Sequence, residues 1–320
     1  MRALQISDFE SDPELVEIAS PEPAAGDVRI AVQACGLNFA DLLMSRGKYQ
    51  ERPDPPVTLG MEMAGRVERL GPGVEGVAVG DRVAVFSGQG GLAEQAVVPA
   101  ARCVRLPEAM SAVHAAAFQV AYGTSHVALE HKARLQPGER LVVTGAAGGV
   151  GLTAVEFGAL MGAEVIAIAR GTEKLEIARQ AGATHLIDAE SEDIRGQLKA
   201  LGGADVVYEA VGGDLFRQCF RATNPDGRIL VIGFAGGEVP QIPANHLLVK
   251  NLSVIGLYWG GYLGFAPEVL TGSLARLFDW YAAGRLQPHV SHELPLDRAV
   301  EALDLLRQRR STGKVVVTMP

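Results

Sequence analysis

The stretch "LVVTGAAGGVG", residues 141–151, constrains the fold of this 320-residue chain more than any other. A short aliphatic run passes straight into alanine and glycine, and a helical pattern follows. At such a junction the backbone can turn tightly and approach a pyrophosphate. The helix N-terminus supplies free N–H groups and a partial positive charge. The register is A-x-G-x-x-G, with Ala146 where the usual fingerprint has its first glycine. Gly151 then allows close packing of helix on strand. The motif gains its weight from context. Strand patterns at 141–144, 164–169, 185–188, 205–208 and 228–233 alternate with helical stretches at 149–161, 173–181, 191–201 and 214–223. "LSVIGLY" (252–258) offers a sixth strand. Repeated βα units of this length predict a doubly wound parallel sheet with right-handed crossovers, an α/β Rossmann architecture. Ala147, Gly148, Gly149 and Val150 are its candidate pyrophosphate-binding residues.

Nineteen residues past Gly151, at the end of the second strand, stands Arg170. An Asp or Glu about 20 residues on would bind the ribose 2′-hydroxyl of NAD. An acid would repel a 2′-phosphate, whereas arginine can grip it bidentately. Thr172 and Lys174 add a hydroxyl and a second cation within one turn. The expected cofactor is therefore NADP(H).

The first third of the chain reads differently. "RALQI", "LVEIA" and "DVRIAVQACG" alternate or are β-branched, bounded by Pro, Gly and Asp. Residues 62–86 read as strand, Gly-Pro-Gly turn, strand. A compact, mostly β lobe is expected there. Near residue 111 the sequence turns Ala-rich and helical, with Ser111 as N-cap. The tail reads helix, helix, strand, the strand being "GKVVVTM". The net charge of −8 argues against nucleic acid or an anionic membrane as partner. No apolar run is long enough to span a bilayer. Cys35, Cys103 and Cys219 are far apart and outside any CxxC pair, which suits a reducing, cytoplasmic setting.

"GPGVEGVAVGDRV", "AAGGVG", "GRILVIGF" and "TGKVVVTM", in this order and spacing, resemble the medium-chain dehydrogenase/reductase superfamily. "CGLNFADLLMSRGKY" narrows the resemblance to its zinc-independent, zeta-crystallin-like quinone oxidoreductases. The resemblance implies a GroES-like catalytic domain from residues 1–118 and 259–320, with a Rossmann NADP-binding domain over 119–258 inserted between. It places Thr124, Gly233, Phe234 and Leu257 beside the cofactor, with Lys314 a further candidate. It also implies a homodimer paired through strand 252–258. Asn38 and Tyr49 match an Asn and a Tyr of the family's substrate cleft, which implies an orienting amide and a hydrogen-bond donor or acid. Asp41, nearby, reads as a helix cap. Tyr258 and Trp259 could roof the nicotinamide or the acceptor, or pack structurally. Many quinone reductases carry Asn-Tyr after the third strand, where this chain has Asp188 and Ala189. NADPH preference therefore rests on Arg170.

The zinc branch of the superfamily takes one catalytic ligand from the second Cys of C-G-x-C and another from the His of G-H-E. Here those positions hold Asn38 and Met61. Residues 116–121, where a third ligand would fall, contain no Cys, His or acid. No metal is expected. Without a Lewis acid, hydride transfer suits acceptors that delocalise charge themselves, namely quinones and α,β-unsaturated carbonyls. Two alternatives stay open. One is an enoyl- or acryloyl-thioester reductase, with Arg46, Lys48 and Arg52 as a basic rim. The other is an NADPH-binding structural or regulatory protein with little catalysis.

Overall fold

The computed structural model describes all residues, Met1–Pro320. The chain divides into two compact units, Met1–Val120 with Phe278–Pro320, and Ala121–Leu277.

The first unit is built on strands β1 (Arg2–Ile6), β2 (Glu14–Glu17), β3 (Asp27–Gly36), β4 (Val57–Thr58), β5 (Glu62–Leu70), β6 (Arg82–Phe86), β7 (Gln95–Pro99) and β8 (Cys103–Arg105). Two strands from the C-terminal part, β15 (Val290–Pro295) and β16 (Lys314–Thr318), complete it. The main sheet runs β15-β16-β3-β5-β6-β8, with β7 also on β3, and β2-β1-β4 form a small second sheet. Strand β3 shows why. Val28, Ile30, Val32 and Ala34 alternate inward at the period of two that a strand imposes, and are almost fully buried. The C-terminal strand returns as the sequence implied, β16 pairing antiparallel with β3. Helices α1 (Phe39–Met44) and α2 (Ala112–Ala116) also belong to this unit, as does α11 (Ala299–Arg307).

The second unit carries the expected doubly wound sheet. Its strands are β9 (Arg140–Thr144), β10 (Glu164–Ala169), β11 (His185–Asp188), β12 (Ala204–Glu209), β13 (Thr223–Val231) and β14 (Ser253–Gly256). All neighbours are parallel, in the order β11-β10-β9-β12-β13-β14. The chain reverses its direction of winding between β9 and β12, and ligands bind at such a switch point, off the carboxyl ends of the strands. Helices α4 (Gly149–Leu160), α5 (Thr172–Gln180), α6 (Ile194–Ala200) and α7 (Gly213–Ala222) are the crossovers, and α8 (Ala244–Lys250) precedes the edge strand β14. No helix is long and apolar enough to cross a membrane.

Two expectations change. The helical stretch after Ser111 is not continuous. Ser111 does cap α2, its hydroxyl accepting from His114 N at 3.1 Å, but the helix stops at Ala116 and restarts as α3 (Gln119–His126) before a π-helical turn over Val127–Lys132. The break frees the Val120 N–H for a side-chain acceptor described below. The return to the first unit comes at Phe278 rather than at 259. Residues 259–277, including α9 (Tyr262–Phe265) and most of α10 (Pro267–Ala282), stay with the second unit because their side chains are tied to it. Trp259 lies on Gly123, where even a Cβ would come within 2.7 Å of the indole. His126 Nδ1 meets Ser273 Oγ at 2.8 Å, and Arg276 pairs with Glu130. Trp259 is thus a buried packing residue on α3, whereas Tyr258 is more than one-third exposed.

Candidate active site

In the first unit, a buried polar cluster forms where β3 runs into α1. Asn38 is the N-cap of α1, and its N–H donates to Asp41 Oδ2 at 2.8 Å, so Asp41 caps the helix as expected. The Lys314 ammonium, at the start of β16, donates to Leu37 O (2.7 Å), Asn38 Oδ1 (2.7 Å) and Glu62 Oε1 (2.8 Å). Asn38 Nδ2 also donates to Glu62 Oε1, at 2.9 Å, and reaches Gly36 O at 3.4 Å. An ammonium can only donate, so it fixes the orientation of the Asn38 amide, oxygen toward Lys314. The other carboxylate oxygen, Glu62 Oε2, accepts the Val120 N–H at 2.9 Å, capping the start of α3. Glu62 is fully buried and Lys314 nearly so. Buried charges persist only when paired and hydrogen-bonded, and here both are.

This arrangement revises two expectations. Lys314 commits its three protons inside the first unit and has none left for a cofactor. Asn38 has its oxygen and one N–H committed, and only the N–H at 3.4 Å from Gly36 O is weakly held. Tyr49, on the loop after α1, packs half-buried against the hydrophobic cluster containing Leu37, Leu59 and Met61. Two further groups feel the buried charge. Burial pushes the Asp41 carboxyl up to about 6, with Glu62 adding to the rise and the Asn38 N–H and Lys314 opposing it. Burial, then Asp41 and Glu62, pushes the Cys35 thiol well above its ordinary value.

In the second unit, β9 leads into the glycine turn. Gly148 is the N-cap of α4, and no side chain caps the helix. The peptide N–H groups of Gly149, Val150 and Gly151 open it, where the helical ladder supplies no partners. Gly145 takes a φ of +61°, and a Cβ on Gly151 would come within 2.2 Å of Gly145 O. Turn and helix therefore touch backbone to backbone. A hydroxyl set fastens this end of α4 from beneath. Ser125 Oγ donates to Val150 O (2.9 Å) and meets Thr153 Oγ1 (2.7 Å) and Tyr208 OH (3.0 Å). Thr124, one residue before Ser125, is nearly buried.

Beside the turn, at the switch point, lies Glu209, the last residue of β12 and fully buried. Its carboxylate accepts from Thr144 Oγ1 (3.0 Å), Val211 N (3.0 Å) and Gly212 N (2.9 Å). Burial raises its pKa, and those same donors oppose the rise. Arg170 follows β10 on the same edge of the sheet, with Thr172 opening α5 and Lys174 in its first turn. Arg170 is exposed, and its Nε lies 3.2 Å from Glu190 Oε1. Gly233 and Phe234 follow β13, and Leu257 follows β14, its N–H donating to Val231 O at 3.2 Å. Sequence reasoning missed Glu62, Glu209 and Glu190. An acid ending the buried run "VVYE" was the one visible signal for Glu209.

Residues 24–108 match the alcohol dehydrogenase GroES-like domain family, and residues 149–278 the family described as zinc-binding dehydrogenase. A quinone oxidoreductase-like protein 2 homolog of Nematostella vectensis is 45% identical over 91% of this chain and 81% of its own. The quinone oxidoreductase of Thermus thermophilus, solved also as its complex with NADPH, superposes with a TM-score of 0.88 at 34% identity, covering 99% of this chain and 100% of that one. The chain belongs to the quinone oxidoreductase group of the medium-chain dehydrogenase/reductase superfamily. Escherichia coli quinone oxidoreductase complexed with NADPH is a further member with this fold, at a TM-score of 0.91 and 28% identity, over 99% of this chain and 100% of that one.

The zinc in the name of the second matched family does not fit this quinone oxidoreductase relative. Zinc takes thiolate, imidazole or carboxylate ligands. Asn38 and Met61 stand at two of the ligand positions, and the Glu62 carboxylate is already held by Lys314 and Val120 N. No group of three or more His, Cys, Asp or Glu residues is placed to hold a metal ion. The coenzyme, by contrast, fits the second unit: the uncapped start of α4, the turn of small residues after β9 and Arg170 after β10 share the carboxyl end of the sheet.

Proposed function

We propose that the protein is an NADPH-dependent, metal-independent reductase acting on quinones or α,β-unsaturated carbonyls. The observation that supports this most is the shared edge of the parallel sheet, where an uncapped helix N-terminus and Arg170 offer donors to a pyrophosphate and a 2′-phosphate. Ala147, Gly148, Gly149 and Val150 hold the pyrophosphate by backbone, while Arg170, Thr172 and Lys174 hold the extra phosphate. Thr124, Gly233, Phe234 and Leu257 line the remainder of the coenzyme. When bound, the reduced nicotinamide supplies a hydride.

The first unit orients the acceptor and supplies hydrogen bonds. With Lys314, Asn38 and Glu62 closed on one another and no Lewis acid to polarise a carbonyl, the acceptor must spread the incoming charge itself. Tyr49 donates a hydrogen bond or proton to its developing oxyanion. Asn38 acts chiefly as a positioning residue that ties α1 to β16. For the thioester alternative, two cations of its proposed rim make exposed intramolecular contacts, which an incoming phosphate can displace. Arg46 binds Glu10 O, Ser11 O and Asp12, and Arg52 lies over the Phe9 ring at 4.5 Å. We also propose homodimerisation through β14, an edge strand preceded by the exposed Leu248 and Val249. The three free cysteines suit a reducing, cytoplasmic compartment.

The test is coenzyme oxidation measured across quinones, enones, enoyl thioesters and simple alcohols, with NADPH and NADH, with and without chelator. Quinone or enone turnover with NADPH, indifferent to chelator, is expected. Chelator-sensitive turnover of alcohols would overturn the reading. Light scattering on the purified protein checks the dimer.

A further inference from the structure

We propose that Glu190 is a built-in counter-ion that competes with the coenzyme's 2′-phosphate for Arg170, and so limits how strongly the phosphorylated coenzyme is preferred. The inference rests on the reading of Arg170 as the phosphate-binding residue.

The backbone brings the two side chains together. β10 and β11 pair in parallel with Ala169 opposite Asp188, and the Ala189 N–H donates to Ala169 O at 2.9 Å. The residues leaving β11 thus run alongside those leaving β10. A tight turn then fixes Glu190. Its N–H donates to Asp188 Oδ1 at 3.0 Å, and Ser191 N donates to Asp188 O at 3.0 Å. Asp188 therefore gives a carboxylate oxygen to the turn, while the Glu190 carboxylate projects to Arg170 Nε at 3.2 Å. The other charges at the start of α5, Glu173 and Lys174, are of opposite sign and adjacent.

Both partners are exposed, Arg170 at 57% and Glu190 at 69% of their side chains. Such a pair contributes about 0–1 kcal/mol and is displaceable. A phosphate monoester carries about −1.5 to −2 charges and grips a guanidinium bidentately, so it wins the arginine. It must then sit beside the displaced carboxylate, well inside a screening length of about 8 Å. Glu190 thus opposes the phosphate twice, by occupying its partner and by repelling it. A coenzyme without that phosphate meets neither penalty.

The test is calorimetric titration with 2′,5′-ADP and with 5′-AMP, which differ in the 2′-phosphate. The proteins are the full chain as wild type, Glu190→Gln, Arg170→Met and the double variant. Both side chains are exposed, and circular-dichroism melting verifies the fold. Glu190→Gln is expected to tighten 2′,5′-ADP roughly two- to fivefold, the size of one exposed charge interaction, and to leave 5′-AMP unchanged. In the Arg170→Met background that gain should shrink. If Arg170→Met weakens 2′,5′-ADP but Glu190→Gln does not tighten it, or tightens 5′-AMP equally, the counter-ion proposal is overturned and the Arg170 reading stands. A full gain persisting without Arg170 overturns the competition as well. If Arg170→Met leaves 2′,5′-ADP binding unchanged, the phosphate reading fails and takes the proposal with it.

Discussion

Two charged clusters, one in each unit, are held in opposite ways. In the first, Lys314, Glu62 and Asp41 are buried and locked to one another or to backbone. In the second, Arg170 and Glu190 stand in solvent at the rim of a sheet. Buried charge is strongly penalised and tolerates one geometry. Exposed charge is hydrated, screened and adjustable. The contrast suits the work proposed for each: a fixed frame for an acceptor, and a coenzyme end whose preference can be tuned by single residues. Removing the ammonium should have the largest effect. Lys314→Met keeps the stem but leaves Glu62 buried and unpaired, at a cost of about 3–5 kcal/mol in chemical denaturation. Adding Glu62→Gln should recover part of the loss. A Lys314→Met protein as stable as wild type would show that the cluster is wet and the contrast false.

Asp41 should show the next largest effect, and its sign is opposite. Its carboxyl is raised to about 6 in the fold, from about 3.9 in an unfolded chain. Between those values the folded state keeps a proton that the unfolded state has lost. Stability from this group is therefore full below about pH 4 and declines as pH rises through about 6, by roughly 3 kcal/mol. Asp41→Asn cannot ionise but can still accept the Asn38 N–H. It should stabilise the protein at pH 8 by up to that amount and flatten the decline between pH 4 and 6. Equal destabilisation at every pH would mean that the ionised form is required.

Tyr49 separates the units functionally. Tyr49→Phe should lower quinone or enone turnover about 100-fold, the lower range for a positioned acid, while coenzyme affinity stays within about twofold. Unchanged turnover would remove Tyr49 from the chemistry. A protein that binds NADPH but reduces no acceptor would favour the non-catalytic alternative.

What the sequence revealed follows the same divide between local and distant causes. The parallel strands were legible because each is a short aliphatic or β-branched run set between helical stretches. The expected 164–169 and 185–188 coincide with β10 and β11. β13 was less so. It begins at Thr223 rather than 228, since an irregular start containing Pro225 and Asp226 reads as turn in one dimension. α8 went unread because seven residues with little periodicity carry a weak helical signal. The buried cluster was partly legible: "CGLN" and "GMEM" told of missing zinc ligands, and Asn38 was singled out. Its closure was not, because Lys314 and Glu62 lie 252 residues apart and only tertiary pairing joins them. Arg170 was legible through its distance from the glycine turn, but Glu190 was only one acid among several in "DAESED". Parallel pairing of β10 with β11 selects it.

Salt should produce the smallest effect and test the contrast most directly. Raising ionic strength shortens the screening length from about 10 Å at 0.1 M to about 3 Å at 1 M. The Arg170 side chain is more than half exposed, so its attraction for a 2′-phosphate should fall with salt. NADPH affinity should weaken roughly two- to fivefold over that range, with NADH affinity, free of the extra phosphate, changing less. Lys314 and Glu62 are shielded from ions by the protein, so the stability difference between wild type and Lys314→Met should hardly move over the same range. Equal salt dependence for both coenzymes would place the phosphate interaction away from the exposed arginine. A salt-sensitive Lys314 effect would mean that counter-ions reach the Lys314 cluster, and the two clusters would then differ in degree rather than in kind.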